Sequence, residues 1–168
     1  MPNSRLILKS RKLESIYVTK NIKNRFKKNN INLSKLILER GSHRKELLET
    51  YNKIDVALDP FPYSGGTTSF ESTWMGVPVL TKRGFKFVSR STESINHNLG
   101  MSDWIAKDEN EYLAKAIKFA SDVNELAKIR KNLRKKTLKL PSFNTVLFAE
   151  EFNKAIWKIW NNFIKQDK

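Results

Sequence analysis

Short apolar segments alternate with segments of helical periodicity along the first two thirds of the chain. The apolar segments predict five strands, at residues 6–9 (LILK), 35–38 (KLIL), 54–58 (IDVAL), 77–81 (VPVLT) and 103–106. Helix-like segments follow these strands, at residues 18–29, 44–53, 67–75 and 88–99. This alternation is typical of an α/β domain with a mostly parallel sheet.

The last third of the chain is predicted to be helical. Residues 108–121 and 122–138 read as two successive helices, and Pro141 ends the pattern because proline cannot continue a helix. A final helix is predicted at residues 144–165. Apolar side chains recur along it at intervals of three and four, as expected for a face turned to a core or to a surface outside the chain: Phe148, Phe152, Ile156, Ile159, Trp160 and Phe163.

Length and composition indicate one folded domain. The chain has 168 residues, of which 39% are hydrophobic and 11% aromatic, enough for a real core. The absence of cysteine excludes a disulfide scaffold, a cysteine-ligated zinc site and a cysteine nucleophile. No apolar run is long enough to span a membrane, and the run near the amino terminus is too short for a signal peptide. We therefore expect a cytoplasmic protein with no membrane partner.

The net charge of +15 raises the question of nucleic-acid binding. The basic residues are spread along the chain, with local runs at residues 25–28 and 130–139, and no basic motif flanked by aromatic residues occurs. A lysine-rich solvated surface explains the charge equally well, so we do not expect nucleic acid to be the main partner.

Residues 59–78 (DPFPYSGGTTSFESTWMGVP) carry the clearest chemical signal. They follow the third predicted strand, and ligands of open α/β sheets bind beyond the carboxyl ends of the strands. The Gly65-Gly66 turn allows close approach of backbone to a ligand. Thr67 and Thr68 then begin a helix, whose free N–H groups and positive end suit an anion. A carboxylate one turn later, Glu71, could accept hydrogen bonds from sugar hydroxyls, and the combination suits a nucleotide.

The same residues have a purely structural interpretation. Thr68 and Glu71 have the spacing of a capping box, in which the glutamate would bond back to the start of the helix. Phe70 and Trp74, four residues apart, are expected in the core. The chain contains neither GxGxxG nor GxxxxGK[ST], the usual dinucleotide and P-loop signatures. From the residues alone, both interpretations of the segment stay open.

The segment IDVALDPFPYSGGTTSFESTWMGVPVLT resembles the donor-binding segment of the O-linked N-acetylglucosamine transferase/SPINDLY-type glycosyltransferase family. The resemblance continues in collinear order over about the whole chain. It includes the segments RLILKS, GFKFVSR, WIAKDENEYLAKAIKFASD, IRKNLR and PSFNTVLFAEEFNKAIWKIW.

The resemblance implies a fold and a reaction. The expected fold is α/β, with a Rossmann-like, mostly parallel sheet: the carboxyl-terminal lobe of a GT-B fold, lacking its first strand and ending in a helical part. Residues 1–168 would form one partial donor-binding lobe that includes the helix at residues 144–165. The implied reaction is inverting and independent of metals and cofactors. It moves a sugar from UDP-N-acetylglucosamine or GDP-fucose to Ser/Thr hydroxyls of an acceptor protein.

The resemblance also assigns roles to residues near the Gly65-Gly66 turn. Thr67 and Thr68 would hold the diphosphate of the nucleotide-sugar, and Gly66 would add a backbone N–H. Glu71 would hold the ribose.

A second set of assignments follows the second strand. Gly41 and Ser42 would meet the base through their backbone, and Arg44 aligns near a basic residue that contacts the donor. Lys9, at a strand end, is expected to be ordinary surface charge.

Departures from the family pattern limit these assignments. Leu47 occupies a place that often carries a donor-side histidine, and Gly66 stands where some members have histidine. His43 precedes that helix, and His97 is expected to be a surface or packing residue, so neither is expected to act as the base.

The family's amino-terminal lobe and the first strand of its donor lobe, with a lysine-bearing phosphate loop, cannot fit before Arg5. The sheet should therefore close the gap or leave two exposed edges. The catalytic groups are expected upstream, and the chain alone should be inactive, with a missing amino-terminal lobe or a partner chain completing it. The alternatives are a non-catalytic basic module that binds nucleotide or nucleic acid on a glycosyltransferase scaffold, and an assembly subunit.

Overall fold

The structure, a computed structural model, describes residues 3–166, an α/β arrangement in which parallel strands alternate with helices. The strands are β1 (Leu6–Lys9), β2 (Leu36–Glu39), β3 (Ala57–Leu58), β4 (Val79–Lys82) and β5 (Ile105–Ala106). The helices are α1 (Ile16–Lys28), α2 (Arg44–Thr50), α3 (Thr67–Trp74), α4 (Ser91–Asn98), α5 (Glu109–Ser121), α6 (Val123–Thr137) and α7 (Thr145–Gln166). The mostly parallel sheet and the helical end are those predicted from the sequence.

The strands form two separate parallel groups. β1 pairs with β2 in a register that places Leu6 opposite Leu36. The other group has the order β3-β4-β5, with Ala57 opposite Val79 and Thr81 opposite Ile105. Within residues 3–166, no ladder joins the two groups. The sheet was predicted either to close the gap or to leave two edges exposed. The gap between the two groups is open in the structure.

The apolar core lies on one side of this division. It is built by side chains from β4, α4, α6 and the segments that follow α4 and α6: Leu80, Ile95, Leu99, Met101, Trp104, Leu126, Leu133 and Leu140. In the β1–β2 group and its connections, over residues 3–39, Leu13 is the single buried side chain. The chain therefore has one well-packed half and one with little buried apolar surface.

Two predicted elements are shorter in the structure. The third strand covers only Ala57–Leu58, not residues 54–58, and a 3₁₀ turn, Tyr51–Lys53, precedes it. Arg130 of α6 fixes that turn by donating to the carbonyl oxygens of Ile54 (2.6 Å) and Tyr51 (2.9 Å). The helix predicted at residues 88–99 divides into a 3₁₀ turn, Phe87–Ser89, and α4.

The final helix, α7, packs chiefly against the short turn Pro141–Phe143. Its aromatic side chains are largely exposed, with Phe148 at 60%, Trp160 at 52% and Phe163 at 55%. Of the two outcomes predicted for this face, burial in the core of the chain does not occur, and docking on a surface outside the chain stays a prediction. Among residues 3–166, no helix has the length and apolar content needed to cross a membrane.

Candidate functional site

The predicted anion site lies at the start of α3, beyond the carboxyl ends of β3 and β4. The helix begins with Gly66 as its N-cap residue, and the Gly66 carbonyl accepts the first helical hydrogen bonds from Ser69 and Phe70, both at 3.1 Å. Gly66, Thr67 and Thr68 are exposed. Backbone N–H groups in the first turn have no acceptor inside a helix, so those of Thr67 and Thr68 point outward with the positive end of the helix.

Gly65 has a different position from Gly66. Its N–H donates to Asp59 Oδ1 at 2.6 Å, and its carbonyl accepts from the Thr92 hydroxyl at 3.0 Å. A Cβ at Gly65 would collide with the Ser69 hydroxyl and lie 2.9 Å from Thr68 Oγ1, whereas a Cβ at Gly66 would meet nothing within 4 Å. Gly65 is thus an anchored, tightly packed residue, and the accessible backbone begins at Gly66.

Glu71 pairs with the first residue of α2 and makes no capping bond at the start of α3. Its carboxylate is nearly buried and accepts a hydrogen bond from the Arg44 guanidinium at 2.8 Å. The N-cap, Gly66, has no side chain, so the capping box considered for Thr68 and Glu71 is not formed. The residues assigned from the sequence to the ribose and to a basic donor contact therefore touch each other.

Tyr51 makes a hydrogen bond to the first turn of α3. Its hydroxyl donates to the Thr68 carbonyl at 3.2 Å. Burial raises the pKa of Tyr51 to about 12, and the nearby Glu71 carboxylate acts in the same direction. The hydroxyl therefore stays protonated, and a donor, at neutral pH.

The Gly41-Ser42 turn lies beyond the end of β2. A Cβ at Gly41 would clash with the Arg11 side chain and lie 3.2 Å from the Arg11 Cα, so this close approach requires glycine. The Ser42 hydroxyl is buried, and within residues 3–166 it has no hydrogen-bond partner. Gly41 and Ser42 are both half-buried as residues.

Within residues 3–166, Lys9 and the two histidines make no hydrogen bond to the start of α3. Lys9 pairs with Glu39 across the β1–β2 ladder at 3.0 Å, and this hydrogen bond helps to lower the pKa of Glu39. Lys9 is thus a strand-pairing residue and not free surface charge. His43 is exposed at the N-cap of α2 and makes no capping bond. His97 is exposed and lies 3.1 Å from the Ser102 hydroxyl, in agreement with a surface role.

Phe70 of α3 packs against the core, as predicted, whereas Trp74 is half-buried and reaches the core through Phe143. Phe70 contacts Phe143 edge to face, with ring centroids 5.7 Å apart, and Trp74 lies 5.1 Å from the same ring. Among the described residues, no group of three or more His, Cys, Asp or Glu side chains could hold a metal ion.

Sequence comparison places this arrangement in a family. Residues 2–152 match glycosyl transferase family 41. The chain belongs to this family. The resemblance noted from the donor-segment motif is thereby confirmed, and so is the assignment to a family of glycosyltransferases.

Relatives of this family-41 chain are much longer than the chain itself. It is 32% identical over 174 residues to a probable UDP-N-acetylglucosamine–peptide N-acetylglucosaminyltransferase SPINDLY of Arabidopsis thaliana, a match that covers 98% of the chain and 18% of the relative. The corresponding protein of Eustoma exaltatum is 33% identical over 137 residues, covering 82% of the chain and 14% of the relative. The chain therefore spans less than a fifth of the length of these curated relatives.

A solved structure confirms the fold. A mutant O-GlcNAc transferase of Thermobaculum terrenum is 31% identical and superposes with a TM-score of 0.93, covering 99% of the chain and 32% of that protein. The two-group sheet and the helical end of this family-41 chain therefore match part of a GT-B glycosyltransferase.

Three residues at the site were not found from the sequence. Asp59, Thr92 and Tyr51 all bond to the turn before α3 or to its first residues. Asp59 could have been found, because it directly follows a predicted strand within the donor-segment motif. Thr92 and Tyr51 carry no local signal, since they reach the turn from other elements.

Proposed function

We propose that this chain is the donor-binding part of an inverting protein O-glycosyltransferase and binds a nucleotide-diphosphate sugar of the UDP-N-acetylglucosamine type. The observation that carries the proposal is the exposed start of α3, where Gly66, Thr67 and Thr68 present free backbone and hydroxyl groups beyond the ends of β3 and β4. Family membership and the names of the relatives support the choice of ligand.

The site has groups suited to each part of such a donor. The N–H groups and hydroxyls of Thr67 and Thr68 can donate to the diphosphate, and the helix dipole adds positive potential. The Arg44 guanidinium, mostly exposed, supplies a full positive charge nearby. Glu71 can accept from ribose hydroxyls, and the backbone of Gly41 and Ser42 can bond the base.

The groups of this chain stabilise a leaving group. In an inverting transfer, an acceptor hydroxyl oxygen bonds to the anomeric carbon as the bond between that carbon and the diphosphate breaks. Negative charge then grows on the diphosphate, where fixed donors stabilise it. The acceptor proton needs a base. We place that base outside this chain, together with the acceptor contacts, so the isolated chain should bind donor without transferring sugar. No metal or cofactor has a part in this scheme.

Calorimetry with UDP, GDP and UDP-N-acetylglucosamine tests the proposal. We expect wild-type binding to UDP compounds, and about a tenfold weaker affinity for the Thr67→Ala/Thr68→Ala variant, the loss of one or two charge-assisted hydrogen bonds. Thr145→Ala is the matched control, because Thr145 is also an exposed threonine at the first position of a helix. It should bind like wild type.

Two results would contradict the proposal. If no nucleotide binds while nucleic acid binds with strong salt dependence, the chain is a basic binding module on a glycosyltransferase scaffold. If the isolated chain transfers N-acetylglucosamine efficiently to a Ser/Thr peptide, the catalytic groups lie within it.

A further inference from the structure

Asp59 is a buried carboxylate with no role in the scheme above. It is only 4% exposed, and its two oxygens accept hydrogen bonds from different elements. Oδ1 accepts from the Gly65 N–H at 2.6 Å, and Oδ2 accepts from the Thr81 hydroxyl of β4, also at 2.6 Å. The carboxylate therefore connects the turn before α3 to the central strand of the packed half.

Thr92 of α4 holds the same turn from the opposite side. Its hydroxyl donates to the Gly65 carbonyl at 3.0 Å and lies 2.8 Å from the Ser69 hydroxyl in α3. Thr81 and Thr92 are both fully buried. Gly65 is thus fixed at its N–H by Asp59 and at its carbonyl by Thr92, with no space for a side chain of its own.

We propose that Asp59 is a positioning residue, which holds residues 64–68 in the conformation that receives the diphosphate. By occupying the Gly65 N–H, it makes Gly66 the first residue whose backbone is free to face the ligand. The inference rests on the proposed donor site, because it assigns Asp59 a role in that site.

The chemistry of the two partners predicts how substitutions behave. In Asp59→Asn, the amide oxygen can still accept from Gly65, and the amide nitrogen can donate to Thr81, because a hydroxyl both donates and accepts. In Asp59→Ala, the buried Gly65 N–H and Thr81 hydroxyl both lose their partner, which is unfavourable and releases the turn. Burial raises the pKa of Asp59, although hydrogen bonds from Thr81 and Gly65 act against this, so the neutral asparagine suits the site.

Two measurements on the full chain test the inference. The first is hydrogen exchange by mass spectrometry without nucleotide, where Asp59→Ala should lose protection at the bonded N–H groups of Ser64 and Gly65 while the segments around β4 and α6 stay protected. The second is UDP affinity, which should fall about tenfold in Asp59→Ala and change less than about threefold in Asp59→Asn. Thr137→Val is the matched control, since Thr137 is equally buried and bonds the Thr73 carbonyl at the other end of α3. Thr137→Val should change neither the hydrogen exchange of the turn nor the UDP affinity.

The two measurements separate the inference from the proposed function. Unchanged exchange at Ser64 and Gly65 in Asp59→Ala, or equal loss of UDP affinity in Asp59→Ala and Asp59→Asn, would overturn the positioning role. If wild type binds no nucleotide, the proposed donor site fails, and the role of Asp59 toward a donor fails with it. The exchange measurement would still report whether Asp59 holds the turn.

Discussion

The Arg44 guanidinium and the Glu71 carboxylate are 2.8 Å apart and join the start of α2 to the middle of α3. The pair is unequal, because the Arg44 side chain is 72% exposed and that of Glu71 only 9%. Arg44 therefore has space to turn toward a ligand, whereas Glu71 is held in place. A ribose hydroxyl that takes the place of the Arg44 guanidinium would donate to the Glu71 carboxylate, which would then still have a hydrogen-bond donor.

This asymmetry predicts the effect of Arg44→Ala. We expect the free energy of unfolding to fall by about 1–3 kcal/mol, since the nearly buried Glu71 carboxylate loses its charged hydrogen-bond donor. UDP affinity should fall about fivefold to tenfold through loss of the nearby cation. Urea denaturation and calorimetry measure the two effects, with Lys45→Ala, an exposed neighbour on α2, as the control. Tighter binding by Arg44→Ala would instead show that Arg44 competes with the ligand for Glu71.

The two glycines before α3 should respond differently to alanine. Gly65→Ala places a methyl group against Ser69 and Thr68 and should lower the free energy of unfolding by about 1–3 kcal/mol, the usual cost of overpacking. Gly66→Ala meets no atom within 4 Å and should cost less than about 1 kcal/mol. Chemical denaturation of the two variants side by side checks this. Equal losses would mean that packing at Gly65 does not fix the turn.

Glu93 predicts a dependence of stability on pH. Burial alone would raise the pKa of this carboxyl, but hydrogen bonds from Arg90 (3.0 Å) and Arg83 (2.7 Å) outweigh it and lower the pKa below its ordinary value of 4.5. A carboxylate with a lowered pKa stabilises the fold above the unfolded-state value, and this stabilisation is lost as the pH falls through the folded-state value. The wild type should therefore exceed Glu93→Gln in free energy of unfolding by more at pH 7 than at pH 3.

Urea denaturation at the two pH values measures this difference. Glu150→Gln, which removes an exposed carboxylate on α7, controls for the change in net charge. A Glu93→Gln difference that grows toward pH 3 would contradict the predicted sign.

Two phenylalanines near the end of the chain should differ in their contribution to stability. Phe143 packs between Phe70 and Trp74, and its replacement by alanine should cost about 3 kcal/mol. Phe163 is 55% exposed and contacts Trp160 on the same helix, so Phe163→Ala should cost less than about 0.5 kcal/mol. Thermal melts of both variants measure the difference. A large loss for Phe163→Ala would show that α7 packs against the rest of the chain.

Sequence patterns predicted the order and type of the elements because each strand is short, apolar and followed by a segment of helical period. They failed where a distant contact decides local structure. The third strand is limited to Ala57–Leu58, and the carbonyl of Ile54, which was predicted to lie in that strand, accepts instead from Arg130 of α6, 76 residues away in sequence. No local pattern at residues 51–56 could show that contact.

The sequence likewise predicted the local part of the candidate site but not the contacts between its elements. The start of α3 at Thr67 follows from the local Gly-Gly-Thr-Thr sequence. The pairing of Glu71 with Arg44 instead depends on how α2 packs beside α3, and the Thr68–Glu71 spacing favoured a capping box that does not form. Asp59 had a local signal, since it directly follows a predicted strand, but the hydrogen bond of Thr92 to Gly65 spans 27 residues and is visible only in the folded chain.

The division of the sheet has a consequence for how a donor would be bound. The diphosphate side of the proposed site is attached through Thr81 and Thr92 to the packed half, and is therefore preorganised. The base side, at Gly41 and Ser42, follows β2 in the half where Leu13 is the one buried side chain of residues 3–39. That half should open locally at a lower free energy. Recognition of the base would then carry most of the entropic cost of binding, so elements that rigidify β1 and β2 should raise affinity without touching the ligand.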